Sequence, residues 1–288
     1  MPGPAVRLIT SLALAAVLVV PTGCGPDAEP DLADQVHSFA LALGVDPLDR
    51  QAIDRLGRHD LVVVDGETTR PSEVAALQRR GARVLAYLSV GTVEPYRPWY
   101  AEARDRGWLL ERWDRWDEWY ADVAQPGLRA LLRRRAAREL LSGFDGLFLD
   151  NTDMVATHPD QAAGMRRLVA DLDALIGPDR ILMAQNGDET VDQIAAHLDG
   201  WNREDVTATF DADRDRYGRV PVDEASAARA TLRRLHRRGI LVTTTDYVRA
   251  DDGATSFAAT VHACAAGAVP YVADIGLRRV PPRPLVCP

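Results

Sequence analysis

Gly143-Phe144-Asp145-Gly146-Leu147-Phe148-Leu149-Asp150-Asn151-Thr152-Asp153 sets a short, continuously apolar run between a glycine that can end a helix and an aspartate that ends the run. A strand that is apolar at every position is buried on both faces, as in a parallel sheet covered by helices. Helical patterns at 128–141 and 161–175 flank it, so the local unit is helix, strand, helix. Working outward, seven similar runs stand at 36–41, 61–65, 83–89, 181–186, 198–201, 240–246 and 269–272. Further helical patterns stand at 72–80, 189–197, 222–238 and 256–265, and Gly81, Gly143, Gly177, Gly239 and Gly267 are placed to cap helix ends. Eight strand–helix units in roughly 250 residues predict a closed (β/α)8 TIM barrel forming one domain over 35–288. An open doubly wound sheet is the rival. No Gly-x-Gly-x-x-Gly follows a strand and no phosphate-binding Gly-Lys-Ser/Thr loop occurs, which weighs against a nucleotide fold. Residues 118–123 read as a further strand or as an extended piece of a long insertion at 91–126, which holds five of the six tryptophans.

The first residues belong to export rather than to the fold. Arg7 precedes an apolar run over 8–20 and then Pro21-Thr22-Gly23-Cys24, the layout of a signal peptide over 1–23. The run is short for a membrane span of about 20 residues. Gly23-Cys24 matches the cut before a lipid-modified cysteine, although Pro21 stands where such sites usually carry leucine; plain secretion is the alternative. Residues 24–34 form a polar tether. The expected location is extracellular or at the cell surface, with the membrane as a partner through a lipid anchor on Cys24. Outside the cytoplasm thiols oxidise, so Cys264 and Cys287 either bridge and pin the proline-rich tail or are unrelated.

A chain of 288 residues that is 47% hydrophobic and 26% charged is an ordinary globular protein. All 34 basic residues are arginine, against 42 acids, for a net charge of −8. A nucleic-acid partner needs a basic face to neutralise phosphates, so none is expected. The six histidines show no paired metal spacing, there is no Gly-x-Ser-x-Gly elbow, and no metal or cofactor is implied.

What ends the strands carries the chemistry. Asp65, Asp150, Asn186 and Asp246 close apolar runs, and Glu204 follows Trp201-Asn202-Arg203. In a parallel barrel these ends open on one face, which brings distant carboxylates to one mouth. A lone acid at such a position is often only a turn residue or helix cap; four acids and an asparagine together suit glycosidic hydrolysis, which needs one protonated and one charged carboxyl. Tyr87, Tyr96, Trp99, Tyr120, Trp201 and Tyr247 could stack on sugars around the rim, with core packing as the alternative for each.

At these residues the chain resembles glycoside hydrolase family 114, the endo-α-1,4-polygalactosaminidases and their secreted relatives. The resemblance rests on the block 143–153 and on Tyr87-Leu88-Ser89-Val90-Gly91 leading to Glu94-Pro95-Tyr96-Arg97. Gln185-Asn186-Gly187, Asn202-Arg203-Glu204, Thr245-Asp246-Tyr247 and Pro270-Tyr271-Val272 extend it over nearly the whole mature domain. It implies a (β/α)8 barrel, an α-linked amino-sugar polysaccharide as substrate, and a retaining mechanism with Asp150 and Glu204 as the catalytic pair. By analogy with other α-cleaving barrels, Asp150 is the nucleophile and Glu204 the acid/base. Asp65, Tyr87, Glu94, Asp153, Asn186 and Asp246 are the expected sugar contacts. Relatives commonly carry glutamate where this chain has Thr92, a departure that bears on substrate fit. A non-catalytic glycan-binding lipoprotein on the same barrel is the alternative function.

Overall fold

A computed structural model describes Gly3 and residues 31–288 of the chain. The expected signal segment, apart from Gly3, lies outside the described residues, as do Cys24 and the tether as far as Pro30. Leu32–Gln35 is already a helical turn, and Leu32 packs on the core, so the compact unit runs from Asp31 to Pro288.

Eight strands alternate with helices: β1 Phe39–Leu41, β2 Leu61–Asp65, β3 Arg83–Ser89, β4 Gly146–Asp150, β5 Ile181–Gln185, β6 Gly200–Glu204, β7 Leu241–Tyr247 and β8 Val269–Ala273. They form one sheet in sequence order, with every neighbouring pair parallel. Strands β1 and β8 lie against each other, and Phe39 meets Tyr271 edge to face at 6.0 Å between ring centres. The sheet therefore rolls into a TIM barrel, and the open-sheet alternative falls. β2 is buried at all five positions and β4 at all but Asp150, as continuous apolar runs require.

The decisive block is legible residue by residue. Gly143, with φ 101°, turns the chain in the left-handed region just beyond the helix Pro126–Leu141. Phe144 enters the core, and Asp145 Oδ2 accepts from the Val84 backbone N–H at 2.7 Å. Gly146 leaves room for β5, since a Cβ there would collide with the Ile181 carbonyl. Asp199, just before β6, likewise accepts from Leu182 N at 2.8 Å, and Asp60, just before β2, from His37 N at 2.9 Å. Aspartates at the amino ends of strands thus hold the barrel together, while Asp65 and Asp150 at carboxyl ends reach the mouth.

Two expectations need correction. β6 begins at Gly200 and runs through Asn202-Arg203-Glu204, not over 198–201, because backbone pairing with Leu241–Thr245 carries polar residues that no apolar run signals. Residues 189–197 form two short 3-10 turns, Val191–Gln193 and Ala195–His197, rather than an α-helix. The β-branched Thr190 and Val191 and the turn-favouring Asp192 are weak helix formers, and the backbone closes i to i+3 bonds instead.

Cys264 and Cys287 are joined in a disulfide that ties the tail to the helix Gly253–Ala265. Arg58 Nη1 donates to the Pro282 carbonyl at 2.6 Å and gives the tail a second hold. The insertion after β3 folds as a three-stranded antiparallel sheet of Thr92–Val93, Leu109–Trp113 and Glu118–Ala121, so its last segment is a strand outside the barrel. Among the described residues no helix is long and apolar enough to cross a membrane.

Candidate active site

The carboxyl ends of the strands surround a cavity of about 440 Å³, and Asp65, Tyr87, Asp150, Asn186, Glu204 and Tyr247 all line it. Three successive strands leave the mouth in the same way. The residues directly after β4, β5 and β6 are Asn151, Asn186 and Asp205, with φ of 60°, 60° and 52°. Asn and Asp tolerate this left-handed region because their short polar side chains bond locally. Gly91 serves the same corner, since a Cβ there would strike the Asn151 carbonyl.

Asp150 is held by three donors. Tyr87 O–H donates to Oδ2 at 2.7 Å, while the Asn151 backbone N–H at 2.7 Å and Gln185 Nε2 at 3.0 Å donate to Oδ1. Burial pushes its carboxyl above the ordinary range, and the three hydrogen bonds oppose that push by favouring the charged form. Burial and the Asp150 charge raise the Tyr87 phenol well above its usual value, so it remains a donor. Gln185 is oriented from below: its Oε1 accepts from Asn202 Nδ2 at 2.8 Å, and Asn202 Oδ1 accepts from Thr243 Oγ1 at 2.7 Å. This buried chain crosses β5, β6 and β7 and fixes the amide that faces Asp150.

Glu204 has two side-chain donors, Tyr247 O–H to Oε1 and Asn186 Nδ2 to Oε2 at 2.8 Å. Burial first, and then the charge on Asp150, push its carboxyl up to about 8, against the pull of those donors. Burial raises the Tyr247 phenol as well, so it stays protonated. Of two carboxyls in one cavity, the one with more donors keeps the charge and the other keeps the proton. The three donors on Asp150 and the two on Glu204 thus favour the charged form more strongly at Asp150.

Beside them lies an ionic cluster. Arg97 is buried and bridges Asp65 Oδ2 at 2.9 Å and Glu94 Oε1 at 2.7 Å. Asp65 also caps the turn after β2, where Oδ1 accepts from Glu67 N at 2.8 Å and Thr68 N at 3.1 Å. The Arg97 guanidinium sits 5.0 Å from the Tyr96 ring centre and 5.8 Å from that of Tyr87. Asp153 lines the cavity with its carboxyl raised to about 6 by burial and by Asp150. Among the described residues no group of three or more His, Cys, Asp or Glu could hold a metal ion.

Residues 27–282 match the family model described as glycoside-hydrolase family GH114. The chain belongs to glycoside hydrolase family GH114. The glycoside hydrolase domain of PelA from Pseudomonas aeruginosa is 25% identical, with a TM-score of 0.73 over 84% of this chain and 96% of that one. Ega3 of Aspergillus fumigatus, solved in complex with galactosamine, shares the fold at 17% identity and a TM-score of 0.68, over 92% of this chain and 100% of that one. An uncharacterised protein of Deinococcus radiodurans is 28% identical over 240 residues, covering 77% of this chain and 75% of the relative.

In this GH114 barrel, Asp65, Tyr87, Glu94, Asp150, Asp153, Asn186 and Glu204 all reach one cavity. Asp246 does not. Side chains alternate along a strand, and β7 continues one residue past Asp246, so Tyr247 takes the inward place. Asp246 instead accepts at Oδ1 from the backbone N–H groups of Val206 at 3.1 Å, Thr207 at 2.6 Å and Ala208 at 2.7 Å. It shapes the loop after β6. Asp246→Ala strands three buried N–H groups and is expected to lower unfolding stability by about 3 kcal/mol; denaturant melts check this, and an unchanged midpoint would refute it.

The aromatic expectations divide. Trp201 is buried and donates from Nε1 to the Asn186 carbonyl at 2.8 Å, and Trp99 is core. Tyr87 and Tyr247 act through their hydroxyls. Tyr120 stacks on Trp113 at 5.4 Å, and Trp113, Trp116, Tyr96 and Phe210 line the cavity. Phe210 comes from a second hairpin, Ala208–Asp211 with Arg216–Arg219, that no sequence pattern had marked. Glu118, also on the cavity, was missed as a functional residue; its alternation with Tyr120 on one strand was the available signal.

Proposed function

We propose that this enzyme cleaves an α-1,4-linked galactosamine-containing polysaccharide by a two-carboxylate retaining mechanism. One observation carries the reading: Asp150 and Glu204 share a cavity with unequal sets of donors, which splits them into a charged and a protonated carboxyl. Asp150 attacks the anomeric carbon as the glycosidic bond breaks, and Glu204 delivers its proton to the leaving oxygen. Glu204, now charged, takes a proton from water as that water displaces Asp150 from the sugar. Tyr96, Trp113, Trp116 and Phe210 offer ring faces to sugars along the cavity.

The substrate class rests on charge. Seven carboxyl groups and two guanidinium groups line the cavity. Such a lining attracts a polymer bearing ammonium groups more than a neutral one. That agrees with the galactosamine seen in the complex of Ega3. The domain is exported and either anchored through Cys24 or secreted, a reading supported by the leader pattern and by a disulfide suited to an oxidising compartment.

The test is release of reducing ends from partly deacetylated α-1,4-galactosaminan. The value of kcat/KM should fall several-fold as salt rises, since the screening length shrinks from about 30 Å at 0.01 M to about 3 Å at 1 M. Salt-independent turnover would remove the electrostatic part of the reading. No release from this polymer at any salt would remove the substrate.

A further inference from the structure

We propose that Glu118, carried by the insertion sheet rather than by the barrel, selects an amino sugar: with Glu94 it forms a carboxylate pair that receives the ammonium group of a bound ring. The inference rests on the substrate class proposed above and assigns its recognition to this pair, with Glu118 as the selecting member.

Glu118 opens the strand Glu118–Ala121 and lines the same cavity as Asp150. Its Oε2 accepts from Thr92 Oγ1 at 2.6 Å. The Thr92 hydroxyl oxygen in turn receives Asn151 Nδ2 at 2.9 Å and sits 2.8 Å from Ser89 Oγ. Glu118 is thereby aimed by the ends of β3 and β4, the strands that also present Tyr87 and Asp150. No protein group among the described residues donates to its other oxygen, and no arginine pairs with it. Burial, together with Glu94 and Asp150, lifts its carboxyl to about 7. An arriving cation reverses that lift by favouring the charged form.

Glu94 supplies an independent pointer. It is 3% exposed, gives Oε1 to Arg97 and Tyr96, and leaves Oε2 buried without a partner. A buried carboxylate oxygen with no donor costs free energy unless a ligand supplies one. Arg97 is paired with Asp65 and Glu94 rather than with Glu118, and its charge only partly offsets the lift on that carboxyl. An ammonium group brings three donors and the missing charge. An acetamido group brings a single N–H, and its carbonyl oxygen is repelled by both carboxylates.

Glu118→Gln keeps the shape and an acceptor for Thr92 while removing the charge. It should lower kcat/KM on deacetylated α-1,4-galactosaminan by about tenfold to a hundredfold, the scale of one charge-assisted hydrogen bond. On the N-acetylated polymer the change should be under about twofold, so the preference between the two collapses. Glu118→Asp, which keeps the charge, should retain the preference even where rate is lost. Binding of short deacetylated and N-acetylated oligomers to Asp150→Asn, with and without Glu118→Gln, gives the same comparison without turnover. Equal losses on both polymers, or no loss on either, overturn the role of Glu118 while the substrate class stands. If Asp150→Asn binds neither oligomer and the parent enzyme cuts neither polymer, both readings fall together.

Discussion

Asp150→Asn is expected to reduce kcat on deacetylated α-1,4-galactosaminan by at least about a thousandfold without lowering the thermal midpoint. Asparagine keeps the shape and one acceptor for the Tyr87, Asn151 and Gln185 donors, but it cannot attack the anomeric carbon. The variant also relieves the protein of a buried charge, so its stability should hold or rise. Glu204→Gln removes the proton donor and should cost about 10² to 10⁴ in kcat, the usual range for general acid–base help. The two variants separate on an activated aryl α-galactosaminide, whose leaving group needs little protonation. There the first step should survive in Glu204→Gln and fail in Asp150→Asn. Proton NMR should find the α anomer as the first product, as retention demands. Full rescue of Asp150→Asn by the aryl substrate, or initial release of the β anomer, would reverse the assigned roles or the stereochemistry.

The meeting of Asp150 and Glu204 at one cavity was legible because strand ends in a parallel barrel converge whatever their distance in sequence. The apolar runs ending in Asp65 and Asp150 marked β2 and β4 to the residue. Reading failed where burial came with polarity. Asn202 is fully buried yet polar, since it passes hydrogen bonds between Gln185 and Thr243, and so β6 was placed two residues early. Asp246 carried the strand-end signature of Asp150, but a strand one residue longer turned it away from the mouth. Glu118 has no barrel periodicity to announce it; it arrives on an antiparallel sheet whose register, Trp113 opposite Glu118 and Thr92 opposite Tyr120, is set by pairing within the insertion. A sequence pattern reports the period of one element. It does not report which elements meet at one cavity.

The pH dependence tests the division of labour between the two carboxyls directly. In the proposed mechanism the reactive form has Asp150 charged and Glu204 protonated, so kcat/KM should trace a bell. Its alkaline limb belongs to Glu204 and should fall as pH rises through about 8. Its acidic limb belongs to Asp150 and should lie above the ordinary carboxylate range, because burial raises that group. Tyr247→Phe removes a donor that favours charged Glu204, so the Glu204 pKa climbs and the alkaline limb moves to higher pH. Tyr87→Phe removes a donor that favours charged Asp150, so the acidic limb moves to higher pH and the plateau narrows from below. Each shift should be about one unit, since a hydrogen bond to a charged group is worth about 1.5 kcal/mol or more and one unit is about 1.4 kcal/mol. Each tyrosine thus addresses one limb, and the direction is upward in both cases. Were Asp150 the acid and Glu204 the nucleophile, Tyr87→Phe would move the alkaline limb and Tyr247→Phe the acidic one. The limb that each substitution moves therefore identifies which carboxyl holds the proton.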